Sequence, residues 1–130
     1  MRVLFASLLL MVAAVALLGA IHVAADRLDF VKNAARAPGI VSALNAGGSH
    51  PQIEFVSQAG TAVSYPQGGL IFGYRTGDAV QVLYRPADPR RTACIDSFGA
   101  LWFLPILFAL GSAFFAAASF IAFREAGTIK

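Results

Sequence analysis

The sequence predicts a membrane α+β fold: two transmembrane helices, N- and C-terminal, flanking a small antiparallel β-barrel or β-sandwich domain. Three observations predict it. Residues 3–25 and 97–123 contain no Asp, Glu, Lys or Arg. The residues between them alternate apolar and polar with period two in short runs. Gly, Pro, Asn and Ser clusters separate those runs. Charged residues make up 13% of the chain, against roughly 25% in soluble domains, which excludes an ordinary cytosolic protein. A length of 130 residues leaves room for one domain.

The first element is a helix with a stalk, residues 1–36. Val3 to Ala25 is a run of 23 residues without formal charge, about 35 Å as a helix against a hydrocarbon core of about 30 Å. A signal peptide ending at Val23-Ala24-Ala25 is the rival reading, but the apolar run exceeds the usual 7–15 residues of such a region. Leu28, Val31 and Ala35 fall on one helical face, and Asp29 and Lys32 are spaced to pair. Pro38 disfavours helix at Ala37, so the helix is expected to end near Arg36. His22 lies about one turn from the membrane edge and reads as an interfacial anchor ahead of a proton relay.

The second span, residues 98–123, has Trp102 at its start, where interfacial aromatics belong. Pro105 is expected in the first helical turn, where a missing N–H is tolerated. Arg124 closes the span, and residues 124–130 form a short polar tail. Ala16, Ala20 and Ala24 make a small-residue stripe on the first helix; Ala109, Ala113 and Ala117 make one on the second. These stripes predict an antiparallel helix hairpin.

The β domain occupies residues 37–97. Its expected strands are Ile40–Leu44, Gln52–Val56, Thr61–Tyr65, a short edge at Leu70–Tyr74, Ala79–Tyr84 and Thr92–Ile95. Ile53 and Phe55 share a face, as do Val63 and Tyr65, and Val80, Val82 and Tyr84. Loops this short imply antiparallel pairing. Gly77-Asp78 supplies a turn, and Pro86 and Pro89 bracket Asp88 in a stiff loop. Single Cys94, in an apolar run, reads as a buried inert thiol.

Several of these residues form a pattern. Gly39-Ile40-Val41 opens it. Pro51 and Phe55 follow in His50-Pro51-Gln52-Ile53-Glu54-Phe55. Its longest part is Tyr74-x-x-Gly77-Asp78-x-Val80-x-Val82-Leu83-Tyr84-x-Pro86-x-Asp88-Pro89. The pattern resembles the bacterial "domain of unknown function 3592" family over roughly residues 37–123. His50 departs from it, since the family usually has tyrosine there. The resemblance implies the two-helix topology and no reaction, cofactor or ligand. The residues themselves suit their turn and strand positions, a reading we place ahead of ligand binding by Tyr84, Arg85, Asp88 and Arg90.

The chemistry inventory predicts no enzyme. Two histidines and one cysteine cannot supply the four ligands of a structural zinc site. There is no Gly-x-Ser-x-Gly elbow, and neither Gly47-Gly48 nor Gly68-Gly69 opens a phosphate-binding helix. No cofactor and no metal is expected. Nucleic acid is not an expected partner, because the bases are scattered and mostly neighbour acids; the expected partners are the lipid bilayer and another envelope protein. The signal-anchor character of the first segment places the β domain outside the cytoplasm and the chain in the inner membrane as a two-pass protein. The seven bases among residues 26–97 argue the other way, over a segment too long for that count to govern. The leading functional expectation is a non-catalytic envelope binding or accessory module. An immunity-type protector against a toxin, or a small subunit of a transport complex, are the alternatives.

Overall fold

The computed structural model describes residues 1–128; the last two residues of the expected polar tail lie outside them. Two long apolar helices flank a five-stranded antiparallel sheet. The helices are α1 (Arg2–Asn33) and α3 (Phe98–Gly127). Both are long and apolar enough to cross a membrane. The strands are β1 (Ala35–Asn45), β2 (His50–Val56), β3 (Ala62–Pro66), β4 (Ala79–Tyr84) and β5 (Cys94–Ile95), in the spatial order β3-β2-β1-β4-β5. A one-turn helix, α2 (Pro89–Thr92), precedes β5. The chain divides into a helical unit, Met1–Ala25 with the residues from Leu104 onward, and a β unit, Asp26–Phe103.

In the helical unit the two helices meet along a seam with a step of seven. Ala6, Ala13 and Ala20 are buried on α1; Pro105, Ser112 and Ser119 are buried on α3. Ser112 Oγ donates to the Ala13 carbonyl and Ser119 Oγ to the Ala6 carbonyl, each at 2.8 Å. The same antiparallel register sets Pro105 opposite Ala20. Small residues let the backbones approach, and each serine then finds a carbonyl acceptor that an apolar medium would not provide. The expected stripe is therefore corrected. Ala20 is shared, but Ala109, Ala113 and Ala117 are exposed and take no part in the seam. Pro105 is also not in the first turn: α3 begins at Phe98, so the proline sits inside the helix. Leucine at Ala20 should then loosen the hairpin by about 1–3 kcal/mol through overpacking. Leucine at Ala113 should change stability by less than about 0.5 kcal/mol. Unfolding in mixed micelles followed by circular dichroism separates the two.

The β unit curls around one core. Val41, Ile53, Phe55, Val63, Tyr65, Val82 and Tyr84 come from the sheet, Ile71 from a loop, Phe30 from the end of α1, and Ala100 and Leu101 from the start of α3. The alternation in β2 and β3 matches the expectation: Ile53, Phe55, Val63 and Tyr65 are buried and their neighbours face out. Phe55 packs edge-on to Tyr65 at 6.2 Å and tilted on Tyr84 at 5.1 Å, geometries that suit the ring quadrupoles. β4 is buried on both faces at its end, because Leu83 is enclosed as fully as Val82 and Tyr84.

Several expected boundaries move: β1 begins at Ala35, not Ile40, and β2 at His50, not Gln52. α1 stops at Asn33, not Arg36, because Ala35 and Arg36 pair with Tyr84 and Leu83 of β4. Pro38 thus lies within β1, one residue before the ladder with β2 begins at Gly39. The packed face at the end of α1 carries Phe30 and Val31, with Ala34 just beyond it, while Leu28 is exposed. Asp29 binds Arg85 at 3.4 Å instead of Lys32. Leu70–Tyr74 is a loop, not a strand, anchored by buried Ile71 and by Leu70 N–H donating to the Gly99 carbonyl at 3.1 Å. Thr92 belongs to α2, leaving only two residues in β5. Finally, α3 runs on through Arg124 to Gly127, into the expected tail.

Candidate functional site

Most of the sequence pattern is placed in turns and in the core. Gly39 sits where an added Cβ would lie 2.8 Å from Val82 Cγ2 and 3.0 Å from the Glu54 carbonyl, so β1 and its neighbours leave no room for a side chain. Pro51 and Phe55 are buried, and Tyr74 packs half-buried against the core. Gly77 takes φ 96°, and Asp78 Oδ2 accepts the Arg75 N–H at 2.8 Å, which is how an Asp-containing turn holds its own backbone. Val80 and Val82 face inward, Val82 fully. Asp88 caps α2 by accepting the Arg91 N–H at 3.3 Å, with Pro89 in the first turn and Pro86 exposed before it.

The four residues considered for ligand binding separate on geometry. Tyr84 is wholly buried, and its hydroxyl accepts the Gln58 N–H at 2.8 Å. Arg85 pairs with Asp29 and lies over the Phe30 ring at 5.8 Å. Asp88 is engaged in its cap and with Arg91 at 3.8 Å. Arg90 alone of the four is exposed without an ion pair among the described residues.

The residue that sequence reading missed is Gln67. It is 5% exposed and joins the two edges of the curled sheet. Its Oε1 accepts the Tyr65 hydroxyl at 2.9 Å and the Ile95 N–H at 2.8 Å. Its Nε2 donates to the Gly68 carbonyl at 2.9 Å and reaches Cys94 Sγ at 3.7 Å. Its own N–H donates to the Pro51 carbonyl at 2.9 Å. Asp96 N–H bonds the Gln81 carbonyl, and Ile95 lies opposite Val82, so alternation turns the Ile95 N–H away from β4. A sixth strand would normally take that donor; here a side-chain amide does. The only hint in the sequence was an amide between Pro66 and a Gly pair, a setting typical of an exposed turn.

Burial also acts on two titrating groups near Gln67. It pushes the Cys94 thiol and the Tyr65 phenol up from their ordinary values. Both groups then hold their protons in the folded state at pH values where the unfolded chain releases them. The unfolded chain binds fewer protons, so stability falls as pH rises. The loss should begin near the ordinary thiol value, about 8.5, and steepen near 10. Unfolding titrations between neutral and alkaline pH check this, and Cys94→Ala should remove the first phase.

The concave surfaces among the described residues of the β unit include two beside β3. One, of about 680 Å³, runs across Pro38, Ile40, Glu54, Val56, Ala62 and Ser64 on β1, β2 and β3. The other, of about 400 Å³, separates β3 from the segment Pro86–Arg90. No group of three or more His, Cys, Asp or Glu able to hold a metal ion occurs among the described residues.

No family model and no solved structure matches the chain. A curated protein is. Over 77 residues the chain is 56% identical to "Immune protein Tsi4" of Pseudomonas aeruginosa, covering 59% of this chain and 53% of that one. The chain thus spans about half the length of this relative. The similarity favours the immunity alternative over a general envelope accessory role.

Proposed function

We propose that this protein is an immunity-type protector: it crosses the inner membrane twice and binds a toxin through its β unit on the extracytoplasmic side. The identity of 56% over 77 residues with a protein named as an immune protein carries this reading. The form of the chain supports it. Two helices suited to a bilayer accompany a small β unit in which Tyr65, Gln67 and Asp78 hold the unit's own turns and edges. Protection then works by binding and not by turnover, with no cofactor. The resemblance to the "domain of unknown function 3592" family belongs to the same proposal, supplying a topology and no reaction.

The test is coexpression. Toxic products of genes neighbouring this one are made in cells with and without the chain. The expected result is that one of them kills only when the chain is absent and copurifies with it in mild detergent. Killing unaffected by the chain for every toxic neighbour would overturn the proposal. Orientation is tested by labelling intact cells. Gly48, an obvious loop position from sequence, takes φ 95° and would strain as cysteine. Asn45, exposed with φ −87°, is the better site. Asn45→Cys should react with an impermeant maleimide while buried Cys94 stays silent; reaction only after lysis would reverse the orientation.

A further inference from the structure

We infer that the loop of residues 69–73 is seated in the lipid surface: its outward Leu70 and Phe72, with Phe98 at the start of α3, enter the headgroup–acyl boundary of the bilayer. The inference rests on the reading of α1 and α3 as membrane spans, and no toxin enters it.

Two left-handed glycines bound the loop, Gly69 at φ 100° and Gly73 at φ 82°, a conformation that a Cβ disfavours. Between them the side chains alternate. Ile71 enters the core at 4% exposed, while Leu70 and Phe72 are left 52% and 74% exposed. The loop is fastened to the first turn of α3. Leu70 N–H donates to the Gly99 carbonyl at 3.1 Å, and a Cβ added at Gly69 would lie 2.7 Å from that same oxygen. Phe98, next to Gly99 in the chain, is 71% exposed. Three large apolar side chains thus lie uncovered within two residues of one backbone contact. Single exposed apolar residues are ordinary on any surface; a group of them marks an interaction site.

The place of the patch along α3 says what covers it. Residues 97–123 carry no Asp, Glu, Lys or Arg, about 40 Å as a helix. The hydrocarbon core takes about 30 Å of that length, and the headgroup regions bring the bilayer to about 40–45 Å. The first turn of α3 therefore falls at the headgroup–acyl boundary, with Trp102 one turn deeper. A loop pinned to Gly99 sits at the same depth. Its composition suits that depth. Residues 66–77 contain no Asp or Glu and one base, Arg75, which is exposed and in no ion pair among the described residues. Anionic headgroups attract such a charge. Seating the loop takes Leu70 and Phe72 out of water, as the apolar face of an interfacial segment is taken out. The β unit then has a bilayer contact of its own, in addition to the spans.

The test uses the full chain reconstituted in vesicles of phosphatidylethanolamine and phosphatidylglycerol whose acyl chains carry bromine at a shallow or a deep position. Trp102→Phe removes the native fluorophore, and one tryptophan is then introduced as Phe72→Trp, Leu44→Trp or Phe114→Trp. Leu44 is exposed and lies roughly 30 Å along β1 from Ala35; Phe114 is exposed on α3 within the charge-free run. The expected result is that Phe72→Trp emits to the blue of Leu44→Trp and is quenched several times more strongly by shallow bromine. Phe72→Trp quenched no more than Leu44→Trp overturns the inference, and Phe114→Trp quenched by deep bromine in the same vesicles leaves the span reading standing. Phe114→Trp quenched by neither bromine overturns the spans and the inference with them. If Trp102→Phe does not fold, a nitroxide on Phe72→Cys decides, with Trp102 kept and Cys94 buried. More collisions with dissolved oxygen than with an aqueous nickel chelate support the seated loop, and the reverse overturns it.

Discussion

Replacing Gln67 with Ala is expected to destabilise the β unit by roughly 3–5 kcal/mol, the sum of two orphaned donors and a small cavity. The donors are the Tyr65 hydroxyl and the Ile95 N–H, both of which end on Gln67 Oε1. Tyr65 is 6% and Ile95 1% exposed, so water reaches neither readily, and each keeps most of its desolvation penalty. The loss is a large fraction of the 5–15 kcal/mol that holds a typical domain together. Two further substitutions divide the effect. Gln67→Met keeps the volume and loses the bonds, so it should recover only the cavity part. Gln67→Glu keeps an acceptor for both donors but forfeits donation to the Gly68 carbonyl and buries a charge. Its stability should improve as pH falls through the carboxyl's raised value toward the ordinary carboxyl range. Trp102, the single tryptophan, is packed against the β core; its fluorescence during urea unfolding measures all three. A loss below about 1 kcal/mol for Gln67→Ala would mean that the sheet edges are held together by something other than this amide.

The same residue marks the limit of what the sequence could say. β4 was legible to the residue, because Val80, Val82 and Tyr84 recur with period two between a Gly-Asp turn and a proline. The inward faces of β2 and β3 followed from the same period. The edges did not, since which strand neighbours which is decided by pairing across the chain: β1 binds β4, and β3 is left outside β2. A glutamine after a strand reads as solvent-facing until β5 is known to pass beside it. The helix pairing failed for a related reason. Alanine is abundant on both helices, so several small-residue stripes exist, and spacing alone cannot choose among them. The choice is marked by Ser112 and Ser119, whose hydroxyls donate to carbonyls on the facing helix. The end of α1 shows a third kind of competition. Local helical spacing favoured Leu28 and Ala35, but ladder bonds to β4 drew Ala35 into a strand, and Phe30 became the residue that enters the core. In the candidate site, Arg90 was legible as a charge worth noting.

The second large effect is expected at Gly99. Gly99→Ala should lower the stability of the β unit by about 2–4 kcal/mol, because a Cβ there would be driven into the Leu70 backbone carbonyl. Backbone cannot swing aside as the tip of a side chain can. The loop must retreat, and the Leu70 N–H bond to the Gly99 carbonyl goes with it. The loop also carries Ile71, 4% exposed in the core, and it begins at Gln67. A single methyl group at Gly99 therefore disturbs both the packing and the closure of the sheet. A control lies in the same helix: an added Cβ at Gly111 meets nothing within 4 Å. Gly111→Ala should be neutral or stabilising by up to about 1 kcal/mol, the ordinary gain in helix propensity. One substitution type, made twice in α3, should thus give opposite signs when unfolding is followed by Trp102 fluorescence for Gly99 and by circular dichroism for Gly111. Equal effects at the two positions would show that the close approach of the Leu70 loop to the start of α3 contributes nothing to holding the fold.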